Sequence, residues 1–148
     1  MNVELVYCFV EGHPEHQGNL VPIGRGRPGV RDKNAKHLHP WRDHVALRVR
    51  EAYGGHPLDQ PLELDVTFYF DRPASHYGSG RNATQLKRSA PAVYRTTRPD
   101  IDKLLRAILD ALTGVVWSDD SRVVQAKASK RWNDGRPEGA TIIVRHAL

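Results

Sequence analysis

The sequence contains a single cysteine, Cys8, so the chain cannot form an internal disulfide. Cys8 lies in an apolar run, which favours a buried thiol over a catalytic nucleophile. There is no regular Cys/His spacing, so neither His13 with His16 nor His37 with His39 makes a convincing zinc site. Surface histidines are the simpler interpretation. Thiol catalysis and structural zinc are therefore not expected.

Long apolar runs are also missing. No run approaches the roughly 18 residues of a membrane-spanning helix, and residues 1–4 lack the basic start of a signal peptide. We therefore expect a soluble protein of the cytoplasm, with no membrane partner. Its 148 residues suit one domain. An apolar content of 39%, arranged in alternating and helical patterns, indicates a globular chain.

Acidic residues are scarce over two long stretches of a chain whose net charge is +5. Residues 72–98 carry six Arg or Lys and no acid, and residues 24–50 carry eight against Asp32 and Asp43. Such a distribution is expected of a protein that binds a polyanion such as DNA. The side chains expected to contact DNA are Arg25, Arg27, Arg81, Lys87, Arg88, Arg98, Lys127, Lys130 and Arg131.

Two segments are predicted to be basic loops, at about residues 11–39 and 72–97. In the first, residues 22–29 alternate Gly with Arg but follow no strand directly, which makes a phosphate-binding fingerprint a poor interpretation. A flexible basic arm on nucleic acid and a solvated loop both stay open there. In the second, His76, Tyr77 and Tyr94 are interleaved with basic residues and could stack on bases. A mobile basic loop is the alternative.

The remaining patterns predict regular elements. β-Forming residues indicate strands at 3–10, 122–132 and 140–144, and strict alternation predicts a strand at 62–70 with Glu63 and Asp65 pointing away from the core. Helical patterns occupy 41–53 and 101–114. The order strand, helix, strand, loop, helix, strand, strand predicts a single α+β domain over residues 1–148. Its two main helices are expected to pack against one mixed β-sheet.

Five carboxylates cluster between residues 98 and 120, at the second helix. Asp100 is a good N-cap residue, and Pro99 before it disfavours an earlier helix start. In one continuous helix Asp100 and Asp102 would lie about 160° apart. If Asp100 is still extended when Asp102 enters the first turn, however, both carboxylates can aim at one point beside the helix N-terminus. That arrangement suits a cation.

The same helix carries a row formed by Asp102, Arg106 and Asp110 at i, i+4 and i+8. After Gly114 a short apolar run ends in Asp119 and Asp120, and a chain returning to a strand could bring one of them back towards the helix start. Converging carboxylates repel one another unless a positive charge lies among them. Hard divalent cations such as Mg²⁺ and Mn²⁺ prefer that oxygen set. The alternative is that these acids cap the helix and its following turn.

The residues from Arg98 to Leu104, those from Leu109 to Gly114, and Trp117-Ser118-Asp119-Asp120 followed by Val123 resemble the RusA family of Holliday junction resolvases, often carried by phages and prophages. The resemblance implies a homodimeric endonuclease dependent on Mg²⁺ or Mn²⁺ that nicks four-way DNA junctions symmetrically, in DNA recombination and repair. The family's metal-binding aspartates fall on Asp100, Asp102 and Asp120.

Two positions depart from the family pattern. The catalytic-lysine position, four residues after the second aspartate, holds Arg106, and the position directly after that aspartate is Lys103 where Asn is common. Arg106 keeps a positive charge that could steady the phosphate, although it does not give up its proton easily, and Lys103 could share the role. A junction resolvase, a nuclease for flaps or other branched DNA, and a non-catalytic DNA-binding protein are therefore the functions to compare.

Overall fold

The computed structural model describes residues 3–148, so residues 1–2, on which part of the signal-peptide prediction falls, lie outside the described part. Residues 3–148 form six strands and two α-helices, with short 3₁₀ turns at 74–76, 80–82 and 120–122. In chain order the main elements are β1 Glu4–Glu11, β2 Leu20–Gly24, β3 Arg27–Asp32, α1 Ala35–Ala52, β4 Leu62–Phe70, α2 Ile101–Leu112, β5 Val123–Trp132 and β6 Gly139–His146.

Four strands form one mixed sheet in the order β1-β6-β4-β5, in which only the β4–β5 pair is parallel. Along β4 the buried and half-buried side chains alternate without exception, as the sequence pattern predicts. The register places Val66 opposite Ile142, and Val144 opposite both Leu64 and Val6. These buried side chains share one face of the sheet with the buried faces of α1 and α2. The predicted α+β class, with two helices on a mixed sheet, is confirmed.

Helix α2 begins at Ile101 as predicted, and Leu104, Ile108 and Leu112 of its apolar stripe are all fully buried, but its end comes two residues before the predicted Gly114. It ends at Leu112, and Gly114 follows with a positive φ of 83°, a conformation that glycine adopts at little cost. Helix α1 begins six residues before the predicted start at Trp41. The sequence reading placed the start after Pro40, whereas the structure accommodates Pro40 within the helix.

The prediction of a basic loop over the whole of residues 11–39 is wrong in its extent. Residues 20–32 form the antiparallel hairpin β2–β3, a two-stranded sheet apart from the main one, and residues 35–39 already belong to α1. Gly26, with a φ of 73°, supplies the tight turn of the hairpin. The residues of β2 and β3 before Asp32 are almost all exposed. Their side chains therefore need not alternate between apolar and polar, and the sequence shows no strand pattern there.

The long segment after β4 is anchored at both ends. The guanidinium of Arg72, whose side chain is 1% exposed, donates to both carboxylate oxygens of Asp134 at 2.6 and 3.0 Å and to the carbonyls of Pro91 and Ala92. At the far end, main-chain hydrogen bonds join Arg95 to Lys130 and Trp132 to Val93. The end of this segment therefore lies against the outer edge of β5.

The second face of the sheet carries Tyr7, Phe9 and Tyr69, with the Phe9 and Tyr69 rings 6.3 Å apart. Tyr7 is 65% exposed there. Within residues 3–148, no helix combines the length and the apolar character that crossing a membrane requires. Cys8 is half-buried, and burial raises the pKa of its thiol, which agrees with a packing role and disfavours a nucleophilic one.

Candidate active site

The segment that leads into α2 is held by two basic side chains, which donate hydrogen bonds to its main-chain carbonyls. The Nζ of Lys130 donates to the carbonyls of Thr97 and Pro99, at 2.8 Å each, and the guanidinium of Arg95 donates to the carbonyl of Arg98. Burial, with the nearby Arg95 charge, lowers the pKa of Lys130, and Asp100 opposes this shift. The residues leading to Asp100 are therefore held in place by a partly buried amine.

Asp100 is still extended, with φ −72° and ψ 141°, while Asp102 lies in the first helical turn. This confirms the backbone arrangement that the sequence required for two carboxylates to face a common point. Asp100 occupies the N-cap position, yet its side chain accepts no capping hydrogen bond. Both residues are exposed. Helix capping therefore does not explain the carboxylate of Asp100.

A tight return follows α2. Gly114 donates its N–H to the carbonyl of Trp117 at 2.7 Å, and the buried Trp117 indole donates to Thr113 Oγ1 at 3.1 Å. The chain then reverses into a 3₁₀ turn whose first residue is Asp120. Asp119 caps this turn by accepting from the N–H of Ser121, and that hydrogen bond lowers the pKa of Asp119. The structure thus gives the two adjacent acids different roles.

Arg106 connects α2 to this turn. Its guanidinium donates to Asp120 Oδ2 at 2.6 Å and, at a longer 3.4 Å, to Asp110 Oδ1. The hydrogen bond to Asp120 is the main cause of the raised pKa of Arg106, to which the charge of Asp110 also contributes. Asp120 therefore lies against the face of α2 that carries Asp102, Arg106 and Asp110. It contacts that face at Arg106, one helical turn after Asp102.

The donor chemistry of this region suits Mg²⁺ or Mn²⁺, since every candidate ligand is a carboxylate. Over residues 3–148, however, no three His, Cys, Asp or Glu side chains lie close enough together to hold a metal ion. Asp100 and Asp102 form no salt bridge within that range, whereas Asp120 is engaged by Arg106. Two carboxylates are thus free to bind a cation and the third is paired, so the metal site stays a prediction.

The predicted DNA-contacting side chains fall into three groups. Arg25 and Arg27 lie at the tip of the β2–β3 hairpin and are exposed, as are Arg81, Lys87, Arg88, Arg98 and Lys127. Arg131 lies on β5 with its guanidinium 5.4 Å from the centre of the Tyr94 ring. Lys130 uses its amine on main-chain carbonyls, so its contacts are those of a positioning residue. Direct DNA contact stays a prediction for all of these residues.

Two aromatic residues of the long segment are already engaged. His76 packs edge-on against Trp132, with ring centres 4.8 Å apart, and Tyr94 lies against Arg131. Of the three side chains proposed to stack on bases, His76, Tyr77 and Tyr94, Tyr94 is still 57% exposed and is well placed to do so.

Sequence reasoning missed His16 and Lys33, which line a cavity together with Arg98 and Lys103. His16 had been interpreted as a surface histidine. It lies more than 80 residues from Arg98 along the chain, and no short spacing pattern links the two. A histidine in a Gly- and Pro-rich segment carries no local signal of such a contact.

Comparison with known proteins identifies a family for this chain. The sequence model of the family described as Endodeoxyribonuclease RusA matches residues 19–145, which includes both helices and all the acids discussed above. The chain is also similar to the uncharacterized protein YqaN of Bacillus subtilis (strain 168). The two are 28% identical over 120 residues, which cover 76% of this chain and 83% of YqaN.

Proposed function

Because the chain belongs to the RusA endodeoxyribonuclease family, we propose that it resolves four-way DNA junctions by metal-dependent hydrolysis of paired phosphodiester bonds. The observation that carries the proposal is the position of three aspartates around α2. Asp100 sits at the N-cap without capping, Asp102 follows in the first turn, and Asp120 is brought back to the same helix. Basic side chains adjoin this acidic group, since Arg98 and Lys103 line a cavity with Asp100 and Arg106 bonds to Asp120, which favours the approach of a DNA strand.

In this proposal Asp100, Asp102 and Asp120 hold Mg²⁺ or Mn²⁺. The ion would supply an activated water and charge stabilisation for the departing 3′-oxygen. The chain's own cations act on the substrate: Arg106, 42% exposed, and the half-buried Lys103 lie on the same helix as Asp102 and can donate to the scissile phosphate. Asp110 keeps Arg106 oriented through their i, i+4 contact.

A second candidate is a non-catalytic protein that binds branched DNA. The ion pair between Arg106 and Asp120 favours it, because a guanidinium already neutralises the carboxylate that a metal would need. A nuclease acting on flaps is a third possibility that shares the same acids. These candidates differ in which DNA is bound and which is cut.

If the protein resolves four-way junctions, the symmetry of that substrate calls for a homodimer. A four-way junction has two-fold symmetry, so paired cuts at equivalent positions require two identical sites related by that symmetry. We propose that the protein acts as such a dimer on DNA in the cytoplasm of a bacterial cell. Sedimentation with and without junction DNA measures the number of chains in the complex.

The test of function compares four-way, flap and linear duplex DNA of matched sequence, each with Mg²⁺, with Mn²⁺ and with EDTA. We expect cleavage of the four-way junction alone, in symmetric positions, and none with EDTA. Cleavage restricted to flaps would support the third candidate. Tight junction binding without any cleavage in either metal would reject the nuclease and support the second.

Replacing Arg106 by Ala should separate its pairing with Asp120 from its proposed contact with the scissile phosphate. Removal of the guanidinium frees Asp120, so we expect half-maximal cleavage at a several-fold lower Mg²⁺ concentration. The maximal rate should fall by about tenfold or more, because a cation on the scissile phosphate is lost. The measurement is cleavage rate against Mg²⁺ concentration.

Arg122→Ala is the matched control for this variant. It removes a neighbouring guanidinium that contacts Asp59 and Ser121 instead of the acids on α2. It should change neither the Mg²⁺ requirement nor the maximal rate appreciably. A higher Mg²⁺ requirement in Arg106→Ala than in the parent would contradict the idea that Arg106 competes for Asp120.

A further inference from the structure

Two adjoining cavities of about 350 and 100 Å³ lie beside the start of α2 and share three lining residues, His16, Arg98 and Lys103. We call them together the His16 cleft. The larger cavity is also lined by Lys33, and the smaller one by Asp100. The remaining lining residues are Gly18, Asn19, Asn34 and Pro99.

The side chains that line the His16 cleft carry more positive than negative charge. Lys33, Arg98 and Lys103 face a single lining carboxylate, that of Asp100 at one edge. Two other acids lie nearby but are occupied. Asp32 accepts hydrogen bonds from main-chain N–H groups, and Glu15 accepts one from the side chain of Asn34. These hydrogen bonds orient the two carboxylates away from the cleft lining without removing their charge. The lining itself carries three cations against one carboxylate, which favours an anion.

The wall of the cleft is built before any ligand arrives. Buried Asp32 receives the N–H groups of Gly18 and Asn34 at 2.8–3.1 Å. Asn34 in turn donates its side-chain amide to the carbonyl of His16 at 2.8 Å. A Cβ at Gly18 would lie 2.7 Å from Asp32 Oδ1, so this close approach requires glycine. Fixed walls reduce the entropy lost on binding.

The same wall is attached to the helix that carries the acids. The N–H of Gln17 donates to the carbonyl of Lys103 at 3.1 Å. His16 Nδ1 lies 3.1 Å from the carbonyl of Gln17, and because a carbonyl only accepts, Nδ1 carries the proton. Nε2 is then the ring nitrogen left for another partner. The cleft and the proposed cleavage site therefore form one continuous surface at Asp100.

We propose that the His16 cleft binds one phosphate group of the DNA strand, next to the phosphodiester that is cut. This inference rests on the proposed function and names how that site holds its substrate. Basic side chains that converge on a small open cleft fit a phosphate. A nucleobase would need an aromatic stacking surface, and the cleft is lined by no Phe, Tyr or Trp.

The first test measures binding of a four-way junction in EDTA, so that cleavage plays no part. Lys33→Ala is expected to lower the affinity about fivefold and to reduce the slope of log K against log salt by about 0.9, the value for one phosphate contact. Lys36→Ala is the matched control. It removes another exposed lysine, three residues away, that does not line the cleft. Equal affinities and equal slopes for the two variants would overturn the proposal.

The second test locates the phosphate. Single phosphates near the cut sites are replaced by neutral methylphosphonates, one at a time, and binding is measured again in EDTA. The parent should lose affinity at one position where Lys33→Ala loses none, because that contact is already missing. Equal losses in both proteins at every position would overturn the proposal. Lys33→Gln, which keeps most of the side-chain length, should behave like Lys33→Ala.

Failure of this inference can be told apart from failure of the proposed function. If junctions are cut but Lys33→Ala and Lys36→Ala bind them alike, only the cleft is refuted. If the cleft passes both binding tests and no DNA is cut in Mg²⁺ or Mn²⁺, only the nuclease is refuted.

Discussion

The Asp120→Asn protein is expected to lose Mg²⁺-dependent cleavage of a four-way junction by about a hundredfold or more, while it binds the junction as tightly as the parent. Asn has the same shape as Asp but lacks the charge that a divalent cation needs. Its amide oxygen can still accept the hydrogen bond from Arg106, so the local fold is retained. The measurements are single-turnover cleavage and junction binding in EDTA.

Asp119→Asn is the matched control for that experiment. It makes the same chemical change one residue earlier, at an exposed side chain that caps the following turn through Ser121. An amide oxygen can serve the same cap, so cleavage should persist. If Asp120→Asn and the parent cut junctions at equal rates, Asp120 is not a metal ligand and the nuclease proposal loses its third carboxylate.

Replacing Arg72 by Met should destabilise the fold by about 3 kcal/mol, since the change leaves the carbonyls of Pro91 and Ala92 and the carboxylate of Asp134 without their donor. Asp134 is 45% exposed and water can replace part of what it loses, which keeps the figure at the lower end of the usual range. For a chain of this length the melting temperature should fall by about 10 °C. Thermal and urea unfolding followed by circular dichroism measure both quantities.

The stability lost in Arg72→Met should also depend on pH. The hydrogen bonds from Arg72 lower the pKa of Asp134, so the pair stabilises the folded state above the ordinary carboxyl range. That contribution disappears as the pH falls through the lowered pKa, and the gap between parent and Arg72→Met should narrow in acid. Arg136→Met, which removes an exposed guanidinium lying over Tyr69, is the control and should cost much less. Unfolding midpoints equal to those of the parent would contradict a supporting role for Arg72.

Sequence patterns predicted some elements well for a clear physical reason. Strand β4 alternates perfectly, and α2 carries an uninterrupted apolar stripe, so the pattern of burial predicts where both elements lie, although α2 ends two residues before the predicted Gly114. The β2–β3 hairpin was missed because its strands are exposed and its shape depends on a turn at Gly26, which leaves no hydrophobic period. Pro40 likewise concealed the first turns of α1.

The candidate site likewise contains some contacts that local spacing predicts and others that depend on the folded chain. The backbone arrangement of Asp100 and Asp102 could be anticipated as one of two possibilities, because their spacing is local and Asp100 is a good N-cap residue. The bond between Arg106 and Asp120 depends on how the chain returns after Gly114, and no spacing rule gives the partner of a guanidinium 14 residues away. His16 and Lys33 depend on contacts between distant segments, and only the folded chain brings them to Lys103.

The hydrogen bonds that join Val93 and Arg95 to the carboxyl half of β5 have a consequence for assembly. They occupy main-chain groups of Lys130 and Trp132 that an outer strand would otherwise leave unpaired. A second chain therefore cannot add a strand there, and a continuous two-chain sheet through that half of β5 is excluded. Any association of two copies must use side-chain surfaces or another edge, which keeps the approach to Asp100 from being sealed by strand addition.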